Sequence, residues 1–204
     1  MKNFGQNRAA AFTLTEVIMA TATFTLIIGG AMAFFMQSLS TSYMTAGKLM
    51  VSHDIRKFTN EMTDEARNAT RYEVFRSFTD RTIATDGHSG DYLVLYYHDD
   101  SADQDSLVRV VGYYRAPDAD GEGPVRKHDS DDHGIDPEEP DALPAVAMID
   151  EFPAIVELAR GLADGNLFYN YHGRSVMIKG EIIHDGRLHR RATNTYNFTV
   201  SPRR

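Results

Sequence analysis

The chain has 204 residues with 15 Gly, 7 Pro and no Cys or Trp, and 21 Lys+Arg against 29 Asp+Glu give a formal net charge of -8. This length suits one domain plus an appendage and excludes a large multidomain enzyme. Because the acidic surplus repels phosphate backbones, we expect no nucleic-acid partner. Without cysteine the chain has no disulfide, thiolate nucleophile, thiolate zinc site or iron-sulfur cluster.

The N-terminal region contains an apolar segment long enough to cross a bilayer. Residues 17–36 are twenty positions without a formal charge, and at about 1.5 Å per residue such a helix spans the roughly 30 Å hydrocarbon layer. Lys2 and Arg8 are the only charges before residue 16. By the positive-inside rule they keep the start of the chain in the cytoplasm. The sequence therefore predicts a single pass through the inner (cytoplasmic) membrane, with the rest in the periplasm or outside.

Glu16 lies at the edge of this apolar segment. A carboxylate deep in a membrane costs about 2 to 3 kcal/mol, so an acid here indicates a functional group. An acid at headgroup level also stabilises the start of a helix, near the positive end of its dipole. The residue by itself leaves both interpretations open.

Residues 11–17 read AFTLTEV and follow a short basic leader. This pattern resembles the N-terminal cleavage and methylation motif of type IV prepilins and type II secretion pseudopilins. The resemblance implies that a prepilin peptidase cuts between Ala11 and Phe12 and methylates the new amine of Phe12. It makes Glu16 the fifth mature residue, and it implies other pilin or pseudopilin subunits and the inner membrane as partners.

The resemblance also implies a role for Glu16 in filament assembly. Cleavage creates a cationic amine at Phe12, about one helical turn from the Glu16 carboxylate, and neither charge is readily buried alone. A neighbouring subunit displaced by about one turn along its axis could bring its amine to this carboxylate and so set the register between helices.

Two positions depart from the family pattern. Ala11 stands where the family usually has Gly, although it is still small. Many major pilins carry a Pro about twenty residues into the helix, whereas this chain has Gly29-Gly30 and no Pro there. Paired glycines weaken a helix by roughly 1 kcal/mol each and permit close approach of another helix. This favours a minor pilin or, together with the basic Pro-Arg tail, a J-class pseudopilin.

A secretory signal is a competing interpretation of the same N-terminus. The basic start, the apolar core and the triplet Ala31-Met32-Ala33 fit an A-x-A cleavage site. Cleavage there would release a soluble exported protein beginning at Phe34, but it would leave Glu16 unexplained.

Beyond residue 36 the chain becomes polar but keeps apolar positions at helical spacing. The stripe consists of Leu39, Tyr43, Val51, Ile55, Phe58, Met62, Ala66 and Ala69. With no Pro between Phe12 and Thr70, the pattern allows one helix of about 88 Å. We expect a β-sheet to cover its outer half.

Two pairs of strands are predicted in the C-terminal region. The runs 92–97 and 107–114 are aromatic and β-branched, which indicates an antiparallel pair. Residues 176–184 and 188–200 form a second hairpin around Asp185-Gly186. A two-residue loop would place Leu188 opposite Ile183; we favour a three-residue loop or bulge that places it opposite His184. The segment 154–162 fits a short helix or a strand equally.

Between Pro117 and Pro144 the chain holds five of its seven prolines and ten acidic residues. This composition predicts an exposed, mobile insertion. Its carboxylates suggest a calcium site at Asp118, Asp120 and Glu122, or at Asp129, Asp131 and Asp132. Neither run matches an EF-hand loop, so a solvated acidic loop with no metal or cofactor is the preferred interpretation.

The remaining polar residues give no catalytic signature. The eight histidines are scattered and are predicted at the surface, with His128 in the insertion. The strand tyrosines are expected at the edge of a core with their hydroxyls in water. No G-x-S-x-G elbow, H-E-x-x-H pair or Gly-rich phosphate loop occurs, and we predict no enzymatic activity.

Together these observations predict an α+β protein with a pilin-like fold, in which a long N-terminal helix packs on an antiparallel sheet. Residues 1–11 form the leader, 12–36 the membrane and assembly helix, 37–70 its amphipathic continuation, and 71–204 a β-rich head with the insertion at 117–144. The expected function is that of a filament subunit of a type IV pilus, type II secretion system or related machine. The alternative is an exported or membrane-anchored domain that binds a ligand or partner and does not polymerise.

Overall fold

A computed structural model describes residues 13–98, 106–116, 123–134, 143–160, 166–185 and 191–202. Two helices, one 3-10 turn and nine strands occur in these ranges. In chain order they are α1 Leu14–Asn68, β1 Arg71–Phe75, β2 Ser89–Gly90, β3 Tyr92–His98, β4 Leu107–Arg115, β5 Gly123–Asp129, α2 Ser130–His133, the 3-10 turn Val146–Met148, β6 Ala154–Arg160, β7 Phe168–Tyr171, β8 Ser175–Asp185 and β9 Arg191–Val200. The α+β class is thus confirmed.

Helix α1 is continuous over 55 residues, as the absence of proline allows. The chain divides into two compact units, residues 1–45 and 46–204, and α1 contributes to both. In the second unit α1 buries Val51, Phe58, Met62 and Ala66. The predicted stripe is therefore correct from Val51 onward. Its N-terminal end is wrong, because Tyr43 is 58% exposed and belongs to the first unit.

The strands form one sheet in the order β1-β3-β4-β5-β6-β8-β7-β2, with β9 paired to β8. All neighbouring strands are antiparallel. The predicted pairing of the runs 92–97 and 107–114 is confirmed by β3 and β4. The undecided segment 154–162 contains strand β6.

The β8–β9 hairpin exists, but both predicted registers are wrong. His184 lies opposite Ala192 rather than Leu188, so five residues separate the two strands. The favoured register is displaced by four residues, an even number, which leaves the predicted face of each side chain unchanged. Ile178 accordingly lies opposite Phe198, on the apolar face as expected.

The acidic insertion is not wholly exposed. Its residues 123–129 form β5, an internal strand between β4 and β6, and Val125 is fully buried. The charged side chains of this strand are accommodated in two ways: Arg126 and Lys127 take half-buried positions beside the buried Val125, and the buried Asp129 is paired with Arg109. The prediction of an exposed insertion is wrong for this strand.

Both faces of the sheet carry an apolar core. One face, with Leu93, Leu95 and Val111, packs with the outer part of α1. The other face, with Tyr92, Val94 and Tyr114, packs with Phe78 and Phe152 from the connecting segments. Successive residues of β3 point to opposite faces of the sheet. Since a core covers each face, β3 is buried on both sides.

Candidate functional site

Glu16, the assembly residue predicted from the sequence, lies in the first turn of α1 and forms a capping box with Thr13. The Thr13 backbone N–H and hydroxyl each donate to Glu16 Oε2 over 2.9 Å. The Glu16 N–H reaches the Thr13 hydroxyl oxygen at 3.4 Å. This reciprocal pattern satisfies backbone donors that a helix start otherwise leaves unpaired. Ala11 and Phe12, the predicted cleavage and methylation positions, lie outside the described residues.

In the helix segment that follows Glu16, polar side chains hydrogen-bond to the backbone of the same helix. Three threonine hydroxyls donate to backbone carbonyls one turn earlier: Thr21 to Val17 at 2.9 Å, Thr23 to Met19 at 2.8 Å and Thr25 to Thr21 at 2.8 Å. A hydroxyl bonded in this way has no need of water, so it can enter an apolar medium at low cost. These threonines therefore do not interrupt the apolar surface.

Helix α1 is long and apolar enough to span a membrane near its N-terminus. Its large side chains face outward in this part: Leu14 is 77% exposed, Leu26 78% and Phe34 74%. Such a continuous apolar surface on a helix whose backbone is internally bonded suits lipid or other helices as surroundings.

The outer part of α1 is joined to the sheet by a cluster of charged and polar side chains, here called the helix–sheet charge cluster. Its members are Glu61, Glu65, Tyr97, Arg109, Lys127 and Asp129. Arg109 donates from Nη1 and Nη2 to the two oxygens of Glu65, both at 3.1 Å, and from Nε to Asp129 Oδ1 at 3.0 Å. Lys127 Nζ donates to Glu61 and to Glu65, each over 3.0 Å.

The electrostatics of this cluster favour its charged forms. Burial alone would raise the pKa of the Glu65 carboxyl, but hydrogen bonds from Tyr97, Lys127 and Arg109 hold this pKa below its ordinary value. Burial opposes ionisation of Asp129 too, and the Arg109 hydrogen bond again lowers the pKa. For Lys127 the hydrogen bonds to Glu61 and Glu65 outweigh burial and raise the pKa. Because both signs of charge are paired, the cluster stabilises the packing of α1 on the sheet.

One member of the second calcium candidate belongs to this cluster. The Asp129 carboxylate accepts from Arg109 and also caps α2 by accepting from the Asp131 N–H at 3.2 Å. A guanidinium in that position competes with a cation for the same oxygens. Within the described residues no group of three or more acidic or histidine side chains could hold a metal ion. Asp118, Asp120 and Glu122 lie outside the described residues.

The placement of His128 differs from the prediction. It is fully buried rather than at the surface, and its Nε2 lies 2.8 Å from the Tyr92 hydroxyl. Gly112 on the neighbouring strand makes room for the ring, since a Cβ there would lie 1.9 Å from His128 Nε2. An isolated glycine within a strand pattern is the sequence signal that indicates such a close approach.

The tyrosine prediction is also wrong. Tyr92, Tyr113 and Tyr114 are fully buried. Several strand hydroxyls bond to protein groups rather than to water: Tyr97 donates to Glu65 Oε2 at 2.6 Å, and Tyr96 to Glu73 Oε2 at 3.0 Å. Connecting segments that pack over the sheet face opposite α1 bury Tyr92 and Tyr114, and Tyr113 is buried in the core that α1 shares with the other face. The local strand pattern carries no signal of either contact.

A buried ion pair, Asp91 with Arg115, lies next to strands β2 and β3. Arg115 Nη2 donates to Asp91 Oδ2 at 2.9 Å, and the Leu167 N–H donates to Asp91 Oδ1 at 2.7 Å. Asp91 and Arg115 are 6% and 5% exposed. The pair connects the ends of three chain segments inside the head, which is a structural role.

No protein-family model, curated protein or solved structure matches this chain.

Proposed function

We propose that this chain is a prepilin-like subunit, a minor pilin or pseudopilin, of a type IV pilus, type II secretion system or related filament. In this account a prepilin peptidase removes residues 1–11, Phe12 becomes the methylated N-terminus, and α1 moves from the membrane into a bundle of like helices. The protein acts by assembly and not by catalysis.

The proposal rests on two features that occur together. The sequence AFTLTEV lies at the start of an apolar helix, and hydrogen bonds between Thr13 and Glu16 cap that helix. A helix used only as an anchor needs apolar side chains but no acid at its entry. Here the one acid in residues 13–36 is held in the first turn of the helix by hydrogen bonds from Thr13. A new amine at Phe12 of a neighbouring subunit is the kind of group that would compensate its charge.

The head supports the same proposal in a different way. Filament subunits experience force along the helix that enters the bundle, so the head must be well attached to it. In this chain α1 contributes Phe58 and Met62 to the core and Glu65 to the helix–sheet charge cluster. In a filament these contacts would attach the head firmly to the helix that enters the bundle, in addition to stabilising the head.

The test is the mass of the mature N-terminus. The full chain is expressed in a host that has a prepilin peptidase and in a matched host that lacks it, and membranes are analysed by peptide mass spectrometry. We expect methylated Phe12 in the first host and the intact leader in the second. An intact Met1 in both hosts would contradict the proposal.

The alternative, an exported binding domain, gives a different mass. Signal-peptidase cleavage after Ala33 would leave Phe34 as the first residue in both hosts. A start at Phe34 would replace the filament proposal with the binding-domain one.

A further inference from the structure

A polar cavity in the head is lined by two consecutive turns of the chain and by strand β7. Its volume is about 670 Å³, within the range of about 300 to 1,000 Å³ in which proteins bind small ligands. In the first turn the Arg76 N–H donates to the Thr82 carbonyl at 3.0 Å. In the second the His88 N–H donates to the Thr85 carbonyl, also at 3.0 Å. Strand β7 contributes Tyr169 to the lining.

The Tyr169 ring lies on the side of β7 that faces away from α1. Phe168 is fully buried in the core shared with α1, and successive strand residues point to opposite faces, so Tyr169 points to the other face. Gly87 of the second turn has a φ of 80°, which glycine adopts readily. A Cβ at this position would lie 3.9 Å from the Tyr169 hydroxyl. Because Gly87 has no side chain, this end of the half-buried tyrosine stays accessible from the cavity.

Polar side chains of the first turn are held in place by local hydrogen bonds. Asp80 Oδ1 accepts from the Thr82 hydroxyl at 2.6 Å and from the Thr82 N–H at 3.1 Å. These two bonds lower the pKa of Asp80, so its carboxylate stays charged. Asp80 Oδ2 lies 3.7 Å from Arg76 Nη1, and the Asp80 N–H donates to the Ser77 hydroxyl oxygen at 2.8 Å. A ligand that bonds to such ordered groups loses little of their conformational entropy.

The charges of the cavity favour a neutral ligand. Among the described lining residues the charged side chains are Arg76 and Asp80, with the histidine taken as neutral. They lie close enough to compensate each other. A ligand carboxylate beside Arg76 would also meet Asp80, and a ligand ammonium beside Asp80 would also meet Arg76. Either charge is therefore disfavoured relative to a neutral polar group.

Hydroxyl groups form most of the remaining polar lining. They belong to Ser77, Thr82, Thr85, Ser89 and Tyr169. A hydroxyl donates one hydrogen bond and accepts two, so one that is already bonded within the protein still has capacity for a ligand. A hydroxyl of the ligand can likewise accept from Arg76 and donate to Asp80 at the same time. This set of groups suits a molecule rich in hydroxyls.

Carbohydrates carry hydroxyls at their edges and C–H groups on their faces, and the C–H faces pack on aromatic rings. We propose that this cavity binds a neutral saccharide of one or two rings, with a sugar face against Tyr169 and sugar hydroxyls on Arg76 and Asp80. A peptide is a poorer occupant, because Ile83 and Ala84 are the aliphatic side chains of the described lining and give its apolar groups little surface. The site does not depend on filament assembly.

The test measures binding of three neutral disaccharides to the full chain. The probes are cellobiose, lactose and N,N′-diacetylchitobiose. The chain is held in lipid nanodiscs, because detergents with sugar head groups would compete for the cavity. Saturation-transfer NMR should show at least one probe binding with a Kd below about 1 mM, and amide hydrogen exchange should slow in residues 76–89. No binding of any probe up to about 10 mM, or binding that leaves this exchange unchanged, would overturn the proposal.

Charge selectivity is tested with two charged disaccharides of the same size. Chitobiose has free amines in place of the acetamides of N,N′-diacetylchitobiose, and cellobiuronic acid has a carboxylate in place of a hydroxymethyl group of cellobiose. Each should bind at least about fivefold more weakly than the neutral probe that binds best. Equal or tighter binding of either charged sugar would show that the cavity does not select a neutral ligand.

The contact with the ring is tested by two substitutions of Tyr169 and a matched control. Tyr169→Leu should weaken binding by about fivefold, whereas Tyr169→Phe keeps the ring face and should cost less than about twofold. Tyr171→Leu removes an exposed ring two residues further along the same strand, outside the described lining, and should leave the affinity unchanged. Equal losses for the leucine variants at 169 and 171 would contradict the proposed contact.

The role of the charge pair is tested with Asp80→Asn. Asparagine keeps the oxygen that accepts from Thr82 but leaves Arg76 uncompensated. Binding of the neutral sugar should weaken by about threefold while binding of cellobiuronic acid becomes tighter. Asp150→Asn removes a carboxylate that is 81% exposed and lies outside the described lining, and it should change neither affinity. An unchanged preference in Asp80→Asn would overturn the assignment of the site.

Discussion

In residues 14–36 the large apolar side chains are exposed, whereas in the described parts of residues 46–202 the side chains of the same kind are mostly buried. The two regions also differ in how their polar groups are hydrogen-bonded. In the first region hydroxyls and Glu16 bond within one turn. In the second region bonds join distant segments, as between Tyr72 and Asn170. The first region leaves its apolar surface accessible to lipid or to other helices. The second region buries its apolar surface in its own core, which stabilises a single fold.

The largest expected effect comes from replacing matched phenylalanines in the two regions. Phe58→Ala removes a fully buried ring that contacts Tyr196 and Phe198, and we expect the free energy of unfolding of the head to fall by about 3 to 5 kcal/mol. Phe35 is 57% exposed, so Phe35→Ala should leave that free energy within about 0.5 kcal/mol. Guanidinium unfolding in detergent, followed by tyrosine fluorescence, measures both. Equal effects would contradict the comparison.

A smaller loss is expected when the helix–sheet charge cluster is broken. Arg109→Ala leaves Glu65 and Asp129 without their shared guanidinium and should destabilise the head by about 2 kcal/mol. Arg71 also pairs with an acid, Glu73, but its side chain is 61% exposed. Arg71→Ala should therefore cost less than about 0.5 kcal/mol. The same unfolding experiment separates the two, and a double-mutant cycle with Glu65→Gln isolates the coupling. No coupling would contradict the role of the cluster.

The same cluster predicts how stability depends on pH. The folded protein lowers the pKa of Glu65 and Asp129 from ordinary values of 4.5 and 3.8. On acidification the unfolded chain therefore binds protons at a higher pH than the folded protein does. The stabilisation that the two charged carboxylates give the folded protein is lost as the pH falls below about 4.5. The raised pKa of Lys127 acts in the opposite direction, so its contribution is lost only above its ordinary value of 10.5. Unfolding between pH 3 and 7 should show a shallower acid decline for Glu65→Gln. An unchanged decline would show that other carboxylates dominate.

The sequence predicted best where local rules decide the outcome. The absence of proline and the spacing of Val51, Phe58 and Met62 correctly gave one long helix with a buried outer stripe. The β3–β4 pair followed from β-branched and aromatic runs. Ile178, Tyr196, Phe198 and Val200 also lie on the predicted apolar face, because a strand pattern fixes parity even when the register is wrong.

The failures concern contacts between segments far apart in the chain. The buried position of His128 depends on the space that Gly112 leaves, and the strand β5 depends on neighbours on both sides. The acidic, proline-rich composition of residues 117–144 predicted a solvated loop for the segment that contains β5. The charge cluster of Glu65, Arg109 and Lys127 has no characteristic spacing, so no local signal could have found it.

The smallest effect on folding is expected at the helix start. Thr13→Ala removes the side chain that caps the first turn of α1 and should destabilise that turn by about 1 kcal/mol. The head should be unaffected. Amide hydrogen exchange in a bilayer measures this, with faster exchange confined to residues 14–17. Faster exchange in the sheet would contradict the separation of the two regions.

The most direct test of the central claim compares assembly of the Glu16→Gln, Glu16→Ala and Thr13→Ala variants. Glutamine keeps the hydrogen-bond acceptor that completes the capping box but removes the charge that a neighbouring Phe12 amine would pair with. Each variant is expressed with the wild-type chain and the rest of the filament machinery, and its share in purified filaments is measured by quantitative mass spectrometry. We predict a loss of at least about tenfold for both Glu16 variants and little loss for Thr13→Ala. Normal incorporation of Glu16→Gln, with equal losses for Glu16→Ala and Thr13→Ala, would show that Glu16 only caps the helix and would contradict the account.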